Sequence, residues 1–398
     1  MGVLQVRIVI VGAGIAGLTL AAALARQGIA STVLEQSQRP QLLGAGMEIT
    51  PNATRLLLRL GLGDALERMA VQPNSRDVLD WRDGSLLGSL PMGRDFTERF
   101  GAPLYTMLRS DLHQSLLAAV PAGTVRSGHY VTDVLDSSDV ITLRCADGRE
   151  VHADMVVAAD GVHSVVRASL WPDHQSFSGL SIFRGLASVP FRVGGDSSPR
   201  VALWMGEDRH FTCYPVDSGR AVSFNATIPS SHARPESWNA QSRIGDLRAS
   251  FSGWSSEVLD MISAADWIGV WALHERAPVP EWSKGRVVLT GDAAHPIMPF
   301  FNQSVNQSIE DAIALAHCLR SATLGTVESL LQRYAAIRQA RAAYVEELST
   351  SLIREMRSAE RSRASSAEFL VKRENRKAPD IYGYDVAVEE RLLSPTIP

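Results

Sequence analysis

The sequence predicts an α/β fold: a parallel strand–helix–strand layer that the chain leaves and re-enters, an antiparallel sheet inserted between its pieces, and helices towards the C-terminal end. Three observations carry this prediction. Val6 to Glu35 reads as strand, glycine turn, helix and strand; two later apolar strands end in an acid beside a glycine; and the stretches between them alternate apolar and polar residues with turn signals.

Val6-Arg7-Ile8-Val9-Ile10-Val11 has the β-branched run of a buried parallel strand, and Gly12-Ala13-Gly14-Ile15-Ala16-Gly17 is a tight turn into an Ala/Leu helix from Leu18 to Arg26. Gln27-Gly28 ends that helix. The strand Ile29 to Leu34 then delivers Glu35, with Gln36 beside it, at the distance where an acid reaches a ribose hydroxyl. Gly12 permits the turn, Gly14 lets the backbone approach a pyrophosphate, Gly17 lets helix and strand pack, and the N–H groups of Ile15 and Ala16 lie at a helix N-terminus that favours an anion. The uncharged run from Ile8 to Ala25 also has the look of a signal peptide or a membrane span. Three glycines in its first half, and the change from β-branched to Ala/Leu residues, argue instead for a strand followed by a helix.

With 398 residues, 45% of them hydrophobic, and a formal net charge of -4, the chain suits a globular protein of two or three domains. Cys145, Cys213 and Cys318 are too isolated for a disulfide framework or a zinc site, so no metal is expected and a reducing cytoplasm is the simplest compartment. The near-neutral balance gives nucleic acid and anionic lipid no electrostatic hold. Charges nearly cancel beyond Ser321, where a solvated helix face or a dimer contact is expected rather than a membrane anchor; monomer and homodimer both stay open.

Gly44-Ala45-Gly46-Met47-Glu48-Ile49 and Pro51-Asn52-Ala53 lead into a helix through Leu60, closed by Gly61. These glycines are either backbone running against a flat ligand or an ordinary loop. Val78 to Leu87, with Asp83-Gly84 at its tip, is a hairpin. Leu108 to Leu112 opens a helix capped by Ser110 or Asp111, and Arg109 is either a pyrophosphate clamp or a surface salt bridge. Val151 to Ala159 is a buried strand ending in Asp160-Gly161. Ile182 to Ile228 holds four or five antiparallel strands, and by alternation His210, Thr212 and Tyr214 share a face. Trp238 to Ile262 is mostly helical. Gly285 to Thr290 is a third buried strand, ending in Gly291-Asp292-Ala293-Ala294-His295-Pro296, and Pro299 to Asn306 leads into a helix from Gln307 to Arg320.

In this order GxGxxG…Glu, Asp-Gly and Gly-Asp-Ala-Ala-His-Pro resemble the single-component, group A FAD-dependent aromatic hydroxylases, from Val6 to about Leu319. The nearest subgroup resembles the salicylate and 6-hydroxynicotinate hydroxylases, on Gly44-Ala45-Gly46 with Pro51-Asn52-Ala53, on His210 to Pro215 and on Tyr382-Gly383-Tyr384-Asp385. The resemblance implies a discontinuous Rossmann-like FAD domain of the GR2 type (1–72, 101–178 and 283–320), a substrate domain (73–100 and 179–282) and a C-terminal helical segment (321–398). It places Gly12, Gly14, Gly17 and Arg109 at the FAD pyrophosphate, Glu35 on the adenosine ribose and Asp292 on the ribityl chain. Asp160-Gly161 falls near the phosphates and the nicotinamide nucleotide, and Gly46, Pro299, Gln303, Ser304, Val305 and Asn306 come near the flavin. Where the family usually has Gly-Gln-Gly, this chain has Asn302-Gln303-Ser304, whose Cβ atoms restrict the backbone.

The implied activity is an NADH- or NADPH-consuming monooxygenase that transfers oxygen from a flavin C4a-hydroperoxide, formed with O₂, to a small phenol or hydroxypyridine carboxylate. His210 is either the base for a ring hydroxyl or a structural histidine, with Tyr214 one alternation further on. His295 is expected to be scaffold. Met47, Trp204, Met298, Phe300 and Phe301 are expected to wall the ring pocket, and Arg184 to pair with the carboxylate or lie at the surface. A larger polycyclic or alkaloid-like substrate, and a dinucleotide-binding flavoprotein without oxygenase activity, are the other readings.

Overall fold

The computed structural model describes residues 6–38, 45–137, 139–171, 175–231, 243–300, 302–357, 371–372, 375–376 and 378–388. Its nucleotide-binding layer is a six-stranded sheet in the order Ser283–Lys284, Val287–Leu289, Met155–Ala158, Ile8–Val11, Ser31–Glu35, Val125–Ser127, parallel except for the first short strand. Ile8–Val11 and Met155–Ala158 are buried throughout, as strands covered on both faces must be. Helix Ile15–Arg26 packs against helix Ser304–Cys318, so the first glycine turn and the last strand-end loop come together. Among the described residues no helix is long and apolar enough to cross a membrane.

The expected single strand from Val151 to Ala159 is two. Glu150–Ala153 joins Ile141–Cys145 and Val131–Asp136 in a three-stranded antiparallel sheet, whereas Met155–Ala158 enters the parallel one. Asp154 marks the break: its carboxylate accepts from the Arg7 backbone N–H at 2.8 Å and pairs with the Arg7 guanidinium at 2.5 Å. A side chain that sequesters a strand-edge N–H ends the ladder there. Ser110 and Asp111 also fail as caps, because strand Tyr105–Leu108 runs straight into helix Arg109–Ala119 with Leu108 at the N-cap. Helices cover Arg243–Ser250 and Ser256–Ser263; the part of the expected helical stretch from Trp238 to 242 lies outside the described residues.

The second layer is a seven-stranded sheet in the order Trp267–Arg276, Gln175–Ala187, Ala221–Pro229, His210–Val216, Arg200–Met205, Ser75–Asp80, Leu86–Pro91. The Val78–Leu87 hairpin thus pairs with strands from far along the chain; only Arg200–Met205 beside Ser75–Asp80 is a parallel neighbour. One face of this sheet is covered by an apolar cluster that includes Trp204, Phe211, Phe224, Phe251 and Trp254. The other face looks towards the nucleotide layer and is where polar residues gather.

A buried ionic cluster fastens the long helix Val327–Arg357 to helix Ser304–Cys318. Arg338 donates to Asp311 at 2.6 Å, to Glu310 at 2.8 Å and to Gln307 at 2.8 Å. Asp311 also accepts from the Gly291 N–H at 2.9 Å and meets His295 Nε2 at 2.5 Å, with the His295 ring stacked on Trp282. Burial alone would raise the Asp311 pKa, but His295 and Arg338 hold it down to about 2. Because the folded value lies below the usual 3.8, this carboxylate contributes stability that is complete above that value and is lost as the pH falls through about 2.

Removing Arg338 takes from two buried carboxylates their shared cation, leaving Glu310 only Arg341 at 3.5 Å and Asp311 only His295, so Arg338→Ala is expected to destabilise the protein by about 3–5 kcal/mol. Urea unfolding checks this; a loss below about 1 kcal/mol would mean that the cluster is not a fastening.

Candidate active site

Between the two sheets lies a cavity of about 250 Å³, and strand register explains its wall. On the open face of the seven-stranded sheet, Ile182, Thr227 and His210 lie side by side across three strands. The next row is Arg184, Asn225, Thr212, Leu203 and Val78, and the one after it contains Tyr214 and Arg76. All these residues line the cavity, as period-two alternation requires. The facing wall comes from Ala45–Glu48, Arg109, Asp292, Pro299, Phe300, Asn302, Ser304 and Val305.

Trp204 does not wall this cavity. It stands one residue out of phase with Leu203, opposite Phe211, and is buried in the apolar cluster on the far face. Met298 is also buried away from it, packed with Leu180, Ile182 and Leu273 beneath Phe300. Met47 and Phe300 do line the cavity, and Phe301 lies outside the described residues. Gly46 approaches protein closely: a Cβ there would lie 2.6 Å from Ser223 Oγ and 2.8 Å from the Tyr214 ring, and the Gly46 N–H donates to Ser223. Gly44, its partner in the motif, is outside the described residues.

His210 lines the cavity with its ring centre 5.7 Å from that of Phe300, the two rings steeply tilted, and burial lowers its pKa to about 4. The imidazole is therefore neutral at physiological pH, with a lone pair able to accept a proton. Burial, then the nearby Glu48 carboxylate, push the Tyr214 phenol up to about 12, so it stays protonated. Its oxygen accepts from Asn225 Nδ2 at 3.4 Å.

Arg184 reaches the cavity over the face of Trp271, 5.6 Å from the ring centre, and its buried Nε has no hydrogen-bond partner among the described residues. Burial lowers its pKa, and the charges it feels are those of Tyr214, Arg109 and Asp292. Arg109, the first residue of its helix, is hemmed in by protein, which lowers its pKa, and yet keeps exposed surface, as a group lining an open slot does. Asp292 accepts from Ser304 Oγ at 2.6 Å. Two arginines facing one carboxylate leave this end of the cavity positive, which suits an anionic ligand.

The glycine turn meets the requirements of FAD. Gly12 has φ +102°, and a Cβ on it would lie 2.4 Å from the Ala159 carbonyl oxygen, whereas a Cβ on Gly14 would meet nothing within 4 Å. A Cβ on Gly17 would strike the Gly12 carbonyl. Helix Ile15–Arg26 carries no side-chain N-cap, so its first N–H groups face the open space beside Gly14. Glu35 accepts from the Ala13 N–H at 2.9 Å and the Ser37 N–H at 2.8 Å, which fixes the carboxylate at the strand end; Gln36 beside it is exposed. His113 Nε2 braces the turn at the Ala13 carbonyl, 2.8 Å away. The residues present therefore fit the dinucleotide: the turn and Arg109 for its phosphates, Glu35 for its ribose, and Asp292 with the Pro299–Ser304 loop towards its ring system.

Several side chains at the motif positions are engaged within the protein. The Asp160 carboxylate accepts from Ser164 Oγ at 2.5 Å and the Val165 N–H at 2.9 Å, so it serves the N-terminus of helix Val165–Leu170; Gly161 follows at φ +79°. The Gln303 side chain turns inward, donating to Thr50 Oγ1 at 3.0 Å and accepting from Asn52 Nδ2 at 3.2 Å. Asn306 braces the Asn302 and Glu48 carbonyls. Glu48, Arg76, Asn225 and Val371 line the cavity without having been singled out in the sequence, whereas Thr212 lines it beside His210 and Tyr214 as alternation groups them. Cross-strand register was the missing signal, because alternation within one strand cannot say which residue of another strand stands beside it.

A model of the FAD binding domain family matches residues 5–349. The chain is 44% identical to a 3-amino-4-hydroxybenzoate 2-monooxygenase of Streptomyces platensis, over 83% of this chain and 84% of that protein. It is 33% identical to a 6-hydroxynicotinate 3-monooxygenase of Bordetella bronchiseptica, over 86% and 90%. The fold matches a salicylate hydroxylase substrate complex with a TM-score of 0.80 at 26% identity, covering 99% of each chain.

Gly14→Ala is expected to leave the stability of the cofactor-free protein unchanged and to weaken FAD binding at least about tenfold, since the added methyl fills the space the phosphates need. Gly12→Ala, which clashes with the chain itself, is expected to lower the stability of the cofactor-free protein as well. Thermal unfolding and FAD titration of the two apoproteins separate these outcomes.

Proposed function

Because the chain belongs to the FAD binding domain family and is an FAD-dependent monooxygenase, we propose that it hydroxylates a small aromatic ring bearing a hydroxyl and a carboxylate, of the 3-amino-4-hydroxybenzoate kind. The observation that carries this reading is His210: a neutral imidazole held on the open face of the seven-stranded sheet, among Leu203, Val78, Ile182 and Phe300. The relative that shares 44% identity acts, by its name, on such a ring.

Bound FAD, reduced by NADH or NADPH, supplies the activated oxygen from O₂. The chain supplies the rest. The unprotonated nitrogen of His210 takes the proton of the ring hydroxyl, and the resulting phenolate is the better nucleophile towards oxygen. Phe300, Leu203 and Val78 keep water from the ring. Arg184, whose buried Nε has no hydrogen-bond partner among the described residues, faces the negative charge on substrate or cofactor, and Tyr214, held neutral, donates a hydrogen bond rather than accepting a proton.

The deciding experiment measures anaerobic reduction of the bound flavin by NADH and by NADPH, with 3-amino-4-hydroxybenzoate, salicylate or 6-hydroxynicotinate, followed by mass analysis of the aerobic product. A large acceleration and a product heavier by one oxygen atom support the assignment; reducible flavin with neither effect for any of the three would refute it. His210→Ala is expected to lower kcat by about 10²–10⁴-fold on the accepted substrate. In the native enzyme kcat/KM should hold from neutral pH downwards and fall only as the pH nears the His210 value of about 4, since protonation removes the base.

A further inference from the structure

Pro299, Phe300, Asn302 and Ser304 stand at the edge of the cavity, and the backbone turns at Asn302, where φ is +51°. A residue with a Cβ in the left-handed region is strained, and asparagine tolerates it better than most because its amide finds a nearby partner. Here the partner comes from another part of the chain: Asn302 Nδ2 donates to Glu48 Oε1 at 2.6 Å. The Glu48 side chain is completely buried on strand Gly46–Ile49 and forms an ion pair with Arg76 on the seven-stranded sheet. Asn306 Nδ2, in the first turn of the following helix, donates to the Asn302 carbonyl at 2.6 Å and closes the loop from the other side.

Three segments distant in sequence thus meet at one carboxylate. Arg76 lies in a sheet strand, Glu48 on the strand after the first βαβ unit, and Asn302 in the loop that leads into helix Ser304–Cys318. All three residues also line the cavity. We propose that Glu48 is a positioning residue for FAD: it holds Asn302 in its left-handed conformation, and so presets the Asn302–Ser304 backbone that borders the cofactor site. Arg76 balances the charge of the buried carboxylate and keeps it aimed at Asn302. Glycine takes this conformation without help, so a glycine at 302 needs no such carboxylate. Binding to a loop that is only fractionally in its competent conformation is weakened by that fraction, and this is what the Glu48–Asn302 bond prevents.

FAD titration of the apoprotein, followed by flavin fluorescence, tests the proposal without reference to turnover. Glu48→Ala and Asn302→Ala are each expected to raise the FAD dissociation constant about tenfold, and Asn302→Gly to leave it within about twofold. The double variant Glu48→Ala/Asn302→Gly is expected to bind FAD as Asn302→Gly alone does, because glycine makes the carboxylate redundant. Glu48→Gln, which keeps an acceptor oxygen for Asn302, is expected to retain most of the affinity and the native absorption spectrum of the bound flavin. A double variant as weak as Glu48→Ala would overturn the proposal, as would native affinity in Asn302→Ala. Should Glu48→Ala fail to fold, the contrast between Asn302→Ala and Asn302→Gly decides on its own: equal affinities overturn the proposal, and a tenfold difference supports it.

Discussion

The buried contact of Arg338 with Asp311 and Glu310 is the constraint on which the geometry of the site rests. Asp311 belongs to the helix that follows the Pro299–Ser304 loop, and its two oxygens are shared between Arg338 on one side and the Gly291 N–H with His295 on the other. Glu310, one residue earlier, reaches Asn52 at 2.6 Å in the segment after strand Gly46–Ile49. One cation on the long helix therefore fixes three loops at once: that carrying Asp292, that carrying Asn302 to Ser304, and that leading from Glu48 into helix Pro51–Arg59. A buried ion pair of this kind is weak evidence for stability as such, because desolvating the charges opposes their attraction. Its effect here is geometric. Each acceptor is satisfied by a group from a different segment, so the segments cannot shift independently.

Upon that fixed layer the seven-stranded sheet sets the chemistry by parity. Even positions on Gln175–Ala187 and His210–Val216, with odd positions on Ala221–Pro229, point to one face, and this parity collects Arg184, Asn225, Thr212 and His210 in one wall. The opposite parity sends Phe211, Phe224 and Trp204 into the core. That is why His210, Thr212 and Tyr214 could be grouped from the sequence, and why Trp204, six residues before His210 but across a turn, could not be assigned a face. Hairpin register depends on the turn, and residues 206–209 give no reading of how the two strands align.

The nucleotide layer was legible because its signals are local. Gly12, Gly14 and Gly17 sit where the backbone leaves no room for a Cβ or where space must stay open, and such demands leave glycine in the sequence. What was not legible is set by contacts between segments far apart. The break at Asp154 depends on Arg7, the turning of Asp160 towards Ser164 depends on a loop reversing, and Glu48 gains its role only when Asn302 and Arg76 fold against it. In the sequence, Asn302-Gln303-Ser304 implies a loss of backbone freedom. The structure shows where the freedom went: Asn302 keeps the left-handed turn, and the restraint lies in its amide.

The charges around the cavity are unevenly matched. Arg109 and Arg184 face Asp292 alone, whereas Arg76 and Glu48 are already paired and His210 is neutral. The unmatched charge of Arg109 and Arg184 favours an anionic ligand, and the neutral His210 among apolar neighbours favours an uncharged one. Burial that lowers the His210 pKa to about 4 leaves the imidazole without its proton near neutral pH. A charged imidazole at that position would be a poorer base, and would also bring water in with its hydration shell.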